Sequence, residues 1–316
     1  MSTKKAIVLG CTGMVGSCFA QTLLERGWDV TGAARSTALG RLAPARPYPF
    51  VACDILDRES LLRLFRRVRP DLVVDMAAQA FNGASWDAER YTYLVNVEGT
   101  NNVLSALREA APDARLLLAC SSAEYGDVRP EDCPLVEDRP LRPMTPYGVT
   151  KVATECMGYQ YFRNYGMQVY LPRMFIHVGT GHPPATAIQN FARQIALVAS
   201  GRGDPVIRVG RLDTARDFID VRDGVVAMLS LVEKGRPGQP VNICNGVAPT
   251  IREVLDMLLG IAGVQVEIRQ DESLLRPSDE PLLLGDNTRL LALGWSRRHT
   301  LRETLEGVFA DWMRRV

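Results

Sequence analysis

Residues 6–24, AIVLGCTGMVGSCFAQTLL, decide the fold. A short apolar run of strand type ends at Gly10. Gly13 and Gly16 then open a segment of helical spacing, with Leu23 and Leu24 on its apolar side. A strand, a GxxGxxG turn and a helix in immediate succession form the fingerprint of a dinucleotide-binding βα unit. Gly10 allows the tight turn, Gly13 lets a pyrophosphate approach the backbone, and Gly16 lets helix pack closely on strand. The helix N-terminus then faces the negative charge. Gly10, Thr12, Gly13, Met14, Val15 and Gly16 are the candidate cofactor contacts of this turn. The same glycine pattern also serves as a plain strand-to-helix turn, so the flanking sequence has to decide.

Working outward, apolar strands and helical patterns alternate. Strands are expected within 6–10, 29–35, 47–55, 70–79 and 114–122, and helices over 16–27, through RESLLRLFRRV, and over 93–110. This βαβαβαβ order with right-handed crossovers gives an α/β fold, a Rossmann-type doubly wound parallel sheet. After Pro172 the rhythm weakens. A helix at 187–201, a mixed stretch over 205–234, a buried strand in PVNICNG (240–246) and two amphipathic helices near the end point to a smaller interleaved C-terminal lobe. The expected division is a cofactor-binding domain over 1–172, with 205–247 partly returning to it, and a substrate lobe from 173–204 and 248–316.

The end of the second strand bears on the choice of dinucleotide. NAD sites place an acid there for the ribose diol, but GAARSTALGRL supplies Arg35 and Ser36. An arginine pairs with a 2′-phosphate, which favours NADP(H). The alternative for Arg35 is that it stacks over the adenine or lies in solvent. Asp54 and Ile55 follow the third strand, where Asp54 either accepts from the adenine amine or closes a turn. Ala77 and Ala78 follow the fourth strand and join the candidate cofactor contacts.

Composition excludes several classes. The chain has 316 residues, 47% of them hydrophobic, enough for one large core plus a smaller lobe. With 37 basic and 36 acidic residues the net charge is +1, so no overall field favours nucleic acid or an anionic membrane. Seven scattered cysteines without a CxxC fit reduced thiols in a cytoplasmic compartment. Three histidines, with no HExxH or paired Cys/His spacing, give no expectation of a metal. MSTKKAIVLG lacks a signal-peptide pattern, and no later run reaches the ~20 apolar residues of a membrane span.

Chemistry concentrates in RPMTPYGVTKVATEC, residues 142–156. Tyr147 and Lys151 lie four apart and share a helix face. Ser121 and Ser122 end an apolar strand, at the carboxyl edge where an α/β sheet binds its ligand. An ammonium beside a phenol favours the phenolate, and a serine hydroxyl can hold a carbonyl oxygen. That set suits a reductase, which delivers hydride to carbon and a proton to oxygen.

Taken in order, GCTGMVG, DMAAQ, VNVEGT, SSAEYG, YGVTK, ARDFIDVRD and GDNTRLLALGW resemble the extended short-chain dehydrogenase/reductase family over nearly the whole chain. The resemblance implies an enzyme acting on a nucleotide-diphosphate sugar, with Tyr147, Lys151 and Ser121 catalytic and Ser122 assisting. Tyr147, Lys151, Met174 and His177 are also implied to lie against the cofactor, the last through its backbone. Gln79, Glu124, Asn190, Arg216, Arg276 and Asp279 are implied to meet the substrate, although Arg216 and Arg276 would serve equally as surface ion-pair formers. Within the family the chain is most similar to members that use NADPH to reduce the 4-keto group of a GDP-linked 4-keto-6-deoxy sugar. Epimerases and 4,6-dehydratases share the same parts. Dehydratases place a glutamate two residues before the tyrosine of the strand-end YG, where this chain has Ala123. Glu124 comes one residue later, a step that points its side chain to the opposite face and favours carbonyl reduction over dehydration. The family's RPFN reads RMFI here, so Ile176 replaces an asparagine that helps hold the sugar nucleotide. Family members are commonly homodimers through the helices near 93–110 and 147–165.

Overall fold

The computed structural model describes residues 3–35, 47–275 and 280–316. The glycine-rich stretch forms strand β1 (Lys5–Leu9), a turn, and helix α1 (Met14–Glu25). Then come β2 (Asp29–Ala34), β3 (Phe50–Ala52), α2 (Arg58–Val68) and β4 (Leu72–Asp75). Short helices α3 (Ala84–Asp87) and α4 (Glu89–Tyr93) lead through a π turn (Leu94–Glu98) into α5 (Gly99–Ala110). The chain continues through β5 (Arg115–Leu118), β6 (Cys120–Ser121), α6 (Pro146–Tyr165) and β7 (Val169–Met174).

These strands build one eight-stranded sheet, in which Pro240–Ile243, β7, β5, β4, β1, β2 and β3 lie side by side and β6 pairs with β7. Every pairing is parallel, from Ala6 against Val30 and Leu72 to Val241 against Pro172. Helices cover both faces, which is why Ala6 to Leu9 and Leu72 to Val74 are sealed from solvent. Leu61, Phe65, Leu104, Leu107 and Leu116 pack one face beneath α2, α5 and α6. Phe19, Leu23, Leu117, Met228 and Leu231 pack the other, beneath α1 and the helix Val221–Lys234. The fold is therefore a Rossmann-type doubly wound sheet. Its order reverses between β1 and β4, opening a crevice at the carboxyl edge.

A second core gathers α7 (Ala187–Ala199) with the helices Ile251–Ala262 and Leu301–Arg315, through Ile195, Phe191, Val254, Leu258, Leu305 and Trp312. Short parallel ribbons tie it to the sheet: Ile176–Val178 with Phe218–Asp220, and Ala215–Arg216 with Leu282–Leu283. The stretch 205–247 divides between the two. Val206–Val209 pairs with Glu267–Gln270 in the second core, while Val221–Lys234 and Pro240–Ile243 lie on the main sheet. The helix expected over 93–110 is interrupted by the π turn, where Asn96 turns into a polar contact with α6. No described helix is long and apolar enough to cross a membrane.

Candidate active site

The glycine turn has the form a dinucleotide needs. Gly10 takes φ 74°, and a Cβ there would lie 2.6 Å from the Met76 carbonyl oxygen, so β4 leaves room for glycine alone. Gly13 differs. Its nearest protein atom would sit 3.5 Å from an added Cβ, so the protein itself does not require a glycine there. Gly13 also caps α1 without a side-chain bond, and no acid occupies the first turn. The first amides of α1 are thus open to a diphosphate, and the residues fit NADP(H). Thr12, Met14 and Val15 line the same turn, half-buried.

Arg35 lies exposed at the end of β2, and its Nη1 donates to the hydroxyl of Tyr91 on α4. Tyr91 carries no sequence signal, because 56 residues separate it from its partner. Ser36 lies outside the described residues, as do Arg276 and Asp279. Asp54 closes a turn, with one carboxylate oxygen accepting from the Leu56 amide at 3.0 Å, and Ile55 is buried against Gly99. Ala77 donates its amide to Asp75, and Ala78 is half-buried beside it.

Helix α6 brings the phenol and the ammonium to the strand edge. Thr145 caps it by accepting from the Gly148 amide at 3.0 Å, and Pro146 fills its first turn. Gly148 packs so close to the turn after β6 that a Cβ would sit 2.5 Å from the Ala123 carbonyl oxygen. That contact holds the first turn of α6, with the half-buried Tyr147, against the turn that follows Ser121. Lys151 is 5% exposed and donates to the Ala119 carbonyl at 2.7 Å, with its ammonium 5.8 Å from the Tyr147 ring centre. Ser121 is the register partner of Met174 on β7, and its hydroxyl oxygen accepts from the Ala123 amide at 3.2 Å. Ser122 is 6% exposed in the following turn.

Behind this edge lies a polar layer. Asn96 accepts from the Gln79 amide and donates to the Gln79 carbonyl and the Thr150 hydroxyl, so α6 is tied to the end of β4 one residue before Lys151. Asp75 is buried at that strand end. Burial lifts its carboxyl to about 6, although the Ala77 amide and Lys151 pull the other way. His177 bonds through Nδ1 to the Phe175 carbonyl at 2.9 Å. A carbonyl only accepts, so Nδ1 carries the proton. The ring packs on Gly224, and burial holds it neutral, down at about 4.

Two expected substrate contacts are placed elsewhere. Gln79 spends its amide within its own loop, accepting from the Phe81 amide at 2.6 Å and donating to the Phe81 carbonyl and the Thr92 hydroxyl. It shapes the loop after β4 rather than presenting a free amide to a sugar. Glu124 is wholly buried. One of its oxygens accepts from the Ser121 amide at 2.6 Å, and the other faces Arg173 at 3.6 Å. The one-residue offset from Ala123 has turned it beneath the strand, away from the crevice. Asn190 sits in the first turn of α7, half-buried, and Arg216 folds onto the carbonyls of Ala215 and Glu280. Arg173 and Glu155, which grip each other through a two-bonded fork at 2.7 Å, escaped the sequence reading. The spacing of Glu155 from Lys151, one further turn along α6, was the available signal.

This geometry has known counterparts. A family model described as GDP-mannose 4,6 dehydratase matches residues 7–308. A GDP-6-deoxy-D-mannose reductase from Pseudomonas aeruginosa is 31% identical, covering 99% of both chains. A solved structure of RMD from Pseudomonas aeruginosa complexed with NADPH superposes with a TM-score of 0.86 at 30% identity, over 99% of this chain and 100% of that one. The UDP-glucose 4-epimerase of Thermus thermophilus, in complex with NAD, gives 0.87 at 27% identity over 98% of each chain. By the span of the family match and by these likenesses, the chain belongs to the GDP-mannose 4,6 dehydratase family of extended short-chain dehydrogenases/reductases.

Proposed function

We propose that this protein uses NADPH to reduce the 4-keto group of a GDP-linked 4-keto-6-deoxy sugar, GDP-4-keto-6-deoxy-mannose, to GDP-rhamnose. One observation carries the reading. Tyr147 and Lys151 face each other on α6, which packs against the strand end that carries Ser121, Ala123 stands where a dehydratase needs its base, and the adjacent Glu124 is sealed beneath the strand. When bound, the nicotinamide supplies the hydride. Ser121 orients the ketone oxygen, Tyr147 gives it a proton, and Lys151, fixed on the Ala119 carbonyl, supplies positive charge beside the phenol. The glycine turn, with Asp54, Ile55, Ala77, Ala78, Met174 and the backbone at His177, holds the cofactor, and Arg35 receives its 2′-phosphate. Asn190, Arg276 and Asp279, from the lobe formed by 173–204 and 248–316, and Arg216, from the stretch 205–247, serve the nucleotide diphosphate.

Two incubations test this. The protein with the 4-keto sugar nucleotide and NADPH should consume the cofactor in step with product, whereas GDP-mannose with NADP should yield no 4-keto compound. Formation of the 4-keto compound from GDP-mannose would assign dehydration instead. The likeness to a 4-epimerase gives a second reading, which oxidised cofactor retained through purification would favour.

The same reading makes the protein a cytoplasmic homodimer. Leu94 in the π turn and Val149 and Tyr159 on α6 expose 48%, 40% and 50% of their surfaces, and Cys156 lies between the last two on the same helix face. A second copy covers this apolar face, so Tyr159→Glu should shift sedimentation from dimer to monomer.

A further inference from the structure

The layer under Ser121 contains more acid than its one arginine neutralises. Glu124, on the turn after β6, is 0% exposed, and Glu155 of α6 keeps 12% of its side chain exposed. The Sγ of Cys120 and an oxygen from each of these two acids all lie within 4.8 Å of one another. Arg173 of β7 supplies the positive charge, but its fork is committed to Glu155, with both bonds at 2.7 Å. Its Nη1 serves the Tyr125 hydroxyl and the Glu137 carbonyl. Glu124 keeps only a 3.6 Å approach to Arg173, and its Oε2 is buried without a hydrogen-bond partner. Two carboxylates against one guanidinium would leave a net negative charge in a dry site, which a protein relieves by keeping a proton.

We propose that Glu124 is a neutral, proton-carrying positioning residue for Ser121: its carbonyl oxygen holds the Ser121 amide and its O–H turns toward Glu155. The direction of its titration agrees, since burial and the neighbouring Glu155 carboxylate lift its carboxyl well above the usual range, against Arg173 and the Ser121 amide. The functional consequence rests on the reductase reading. Hydride arrival leaves negative charge on the ketone oxygen held by Ser121, and an anion buried beneath that serine would oppose it. A neutral carboxyl keeps the 2.6 Å bond that fixes the strand end without adding the opposing charge.

Glu124→Gln reproduces the neutral form, one oxygen accepting from Ser121 and an NH2 facing Glu155. Glu124→Ala removes both contacts. In the NADPH-dependent reduction, Glu124→Ala should lower kcat about tenfold with NADPH affinity unchanged, the scale of a lost oriented hydrogen bond, and Glu124→Gln should restore it. A loss of kcat in Glu124→Gln as large as in Glu124→Ala would overturn the proposal. Thermal melting of wild type and Glu124→Gln from pH 5 to pH 8 gives a readout that needs no substrate. A folded carboxyl with a raised pKa loses its stabilising contribution as pH climbs, so the melting temperature of the Gln variant should gain steadily on wild type. A gap that stays flat with pH means Glu124 is ionised and defeats the proposal even if Glu124→Ala does not fold. Because melting is independent of turnover, failure of the reductase assignment would leave the growing gap intact.

Discussion

Tyr147 projects half-buried from the first turn of α6, and no other described phenol shares its contact with Lys151. Tyr147→Phe therefore removes a proton donor while leaving the ring packing and the glycine turn in place. Turnover of the 4-keto substrate should fall about 100-fold or more, within the usual worth of general acid catalysis, while titration with NADPH gives wild-type affinity. Unchanged turnover would take Tyr147 out of the donor role. Arg35 is the matching test for the cofactor. Arg35→Ala should narrow the preference for NADPH over NADH by about 1.5–3 kcal/mol, the scale of a hydrogen bond to a charged group. Tyr91→Phe, which frees the guanidinium from its hydroxyl partner, should narrow it by about 0.5–1.5 kcal/mol. Equal affinity of wild type for the two cofactors would refute both expectations.

Among the elements, the π turn before α5 does the most to position the catalytic helix. It swings Asn96 out of regular helical register, and the amide then bonds the Gln79 amide and carbonyl and the Thr150 hydroxyl at 2.8, 3.1 and 3.0 Å. Asn96→Ala strips all three at once, leaving buried partners at Gln79 and Thr150 unpaired. A destabilisation of about 2–4 kcal/mol should appear in denaturant melts, with kcat lowered more than KM is raised, because α6 loses its tie beside Lys151. Sequence spacing alone reads 93–110 as one helix. The interruption is legible only once α6 lies alongside, since the extra residue per turn is stabilised by contacts 17 and 54 residues distant.

For the molecule as a whole, the buried acids set the pH response. Asp75 and Asp217 are each lifted to about 6 by burial, from 3.8, even though backbone amides bond both. Folded carboxyls that hold protons more tightly than the unfolded chain stabilise fully below about pH 4, and that contribution is lost as pH rises through about 6. Each accounts for on the order of 2–3 kcal/mol. Asp75→Asn keeps an acceptor for the Ala77 amide and removes the titration. Melting curves should therefore show the variant level with wild type near pH 4 and ahead of it by pH 7. Parallel curves over that range would show that Asp75 ionises normally in the fold.

Local pattern was sufficient for the architecture. Apolar runs of strand length, glycines at 10, 13 and 16, and the YxxxK spacing each depend on neighbours within a turn or two, so the parallel sheet, the open turn at α1 and the pairing of Tyr147 with Lys151 could be read from the chain itself. What the tertiary structure decided is the use of side chains whose partners are distant in sequence. Gln79 reads as a cleft residue because it adjoins a strand end, and the family resemblance places Glu124 there too, although its one-residue step from Ala123 already turns it to the opposite face. The direction each takes depends on whether water or a buried donor offers the better partner there, and that partner is supplied by folding. Arg173 comes from β7 to stand by Glu124, and Thr92 comes from α4 to take the amide of Gln79. A polar group leaves solvent most readily where its hydrogen bonds are replaced: the Thr92 hydroxyl does this for Gln79 from 13 residues away, whereas Glu124 keeps one bond, to the Ser121 amide, and a 3.6 Å approach of Arg173 from 49 residues away.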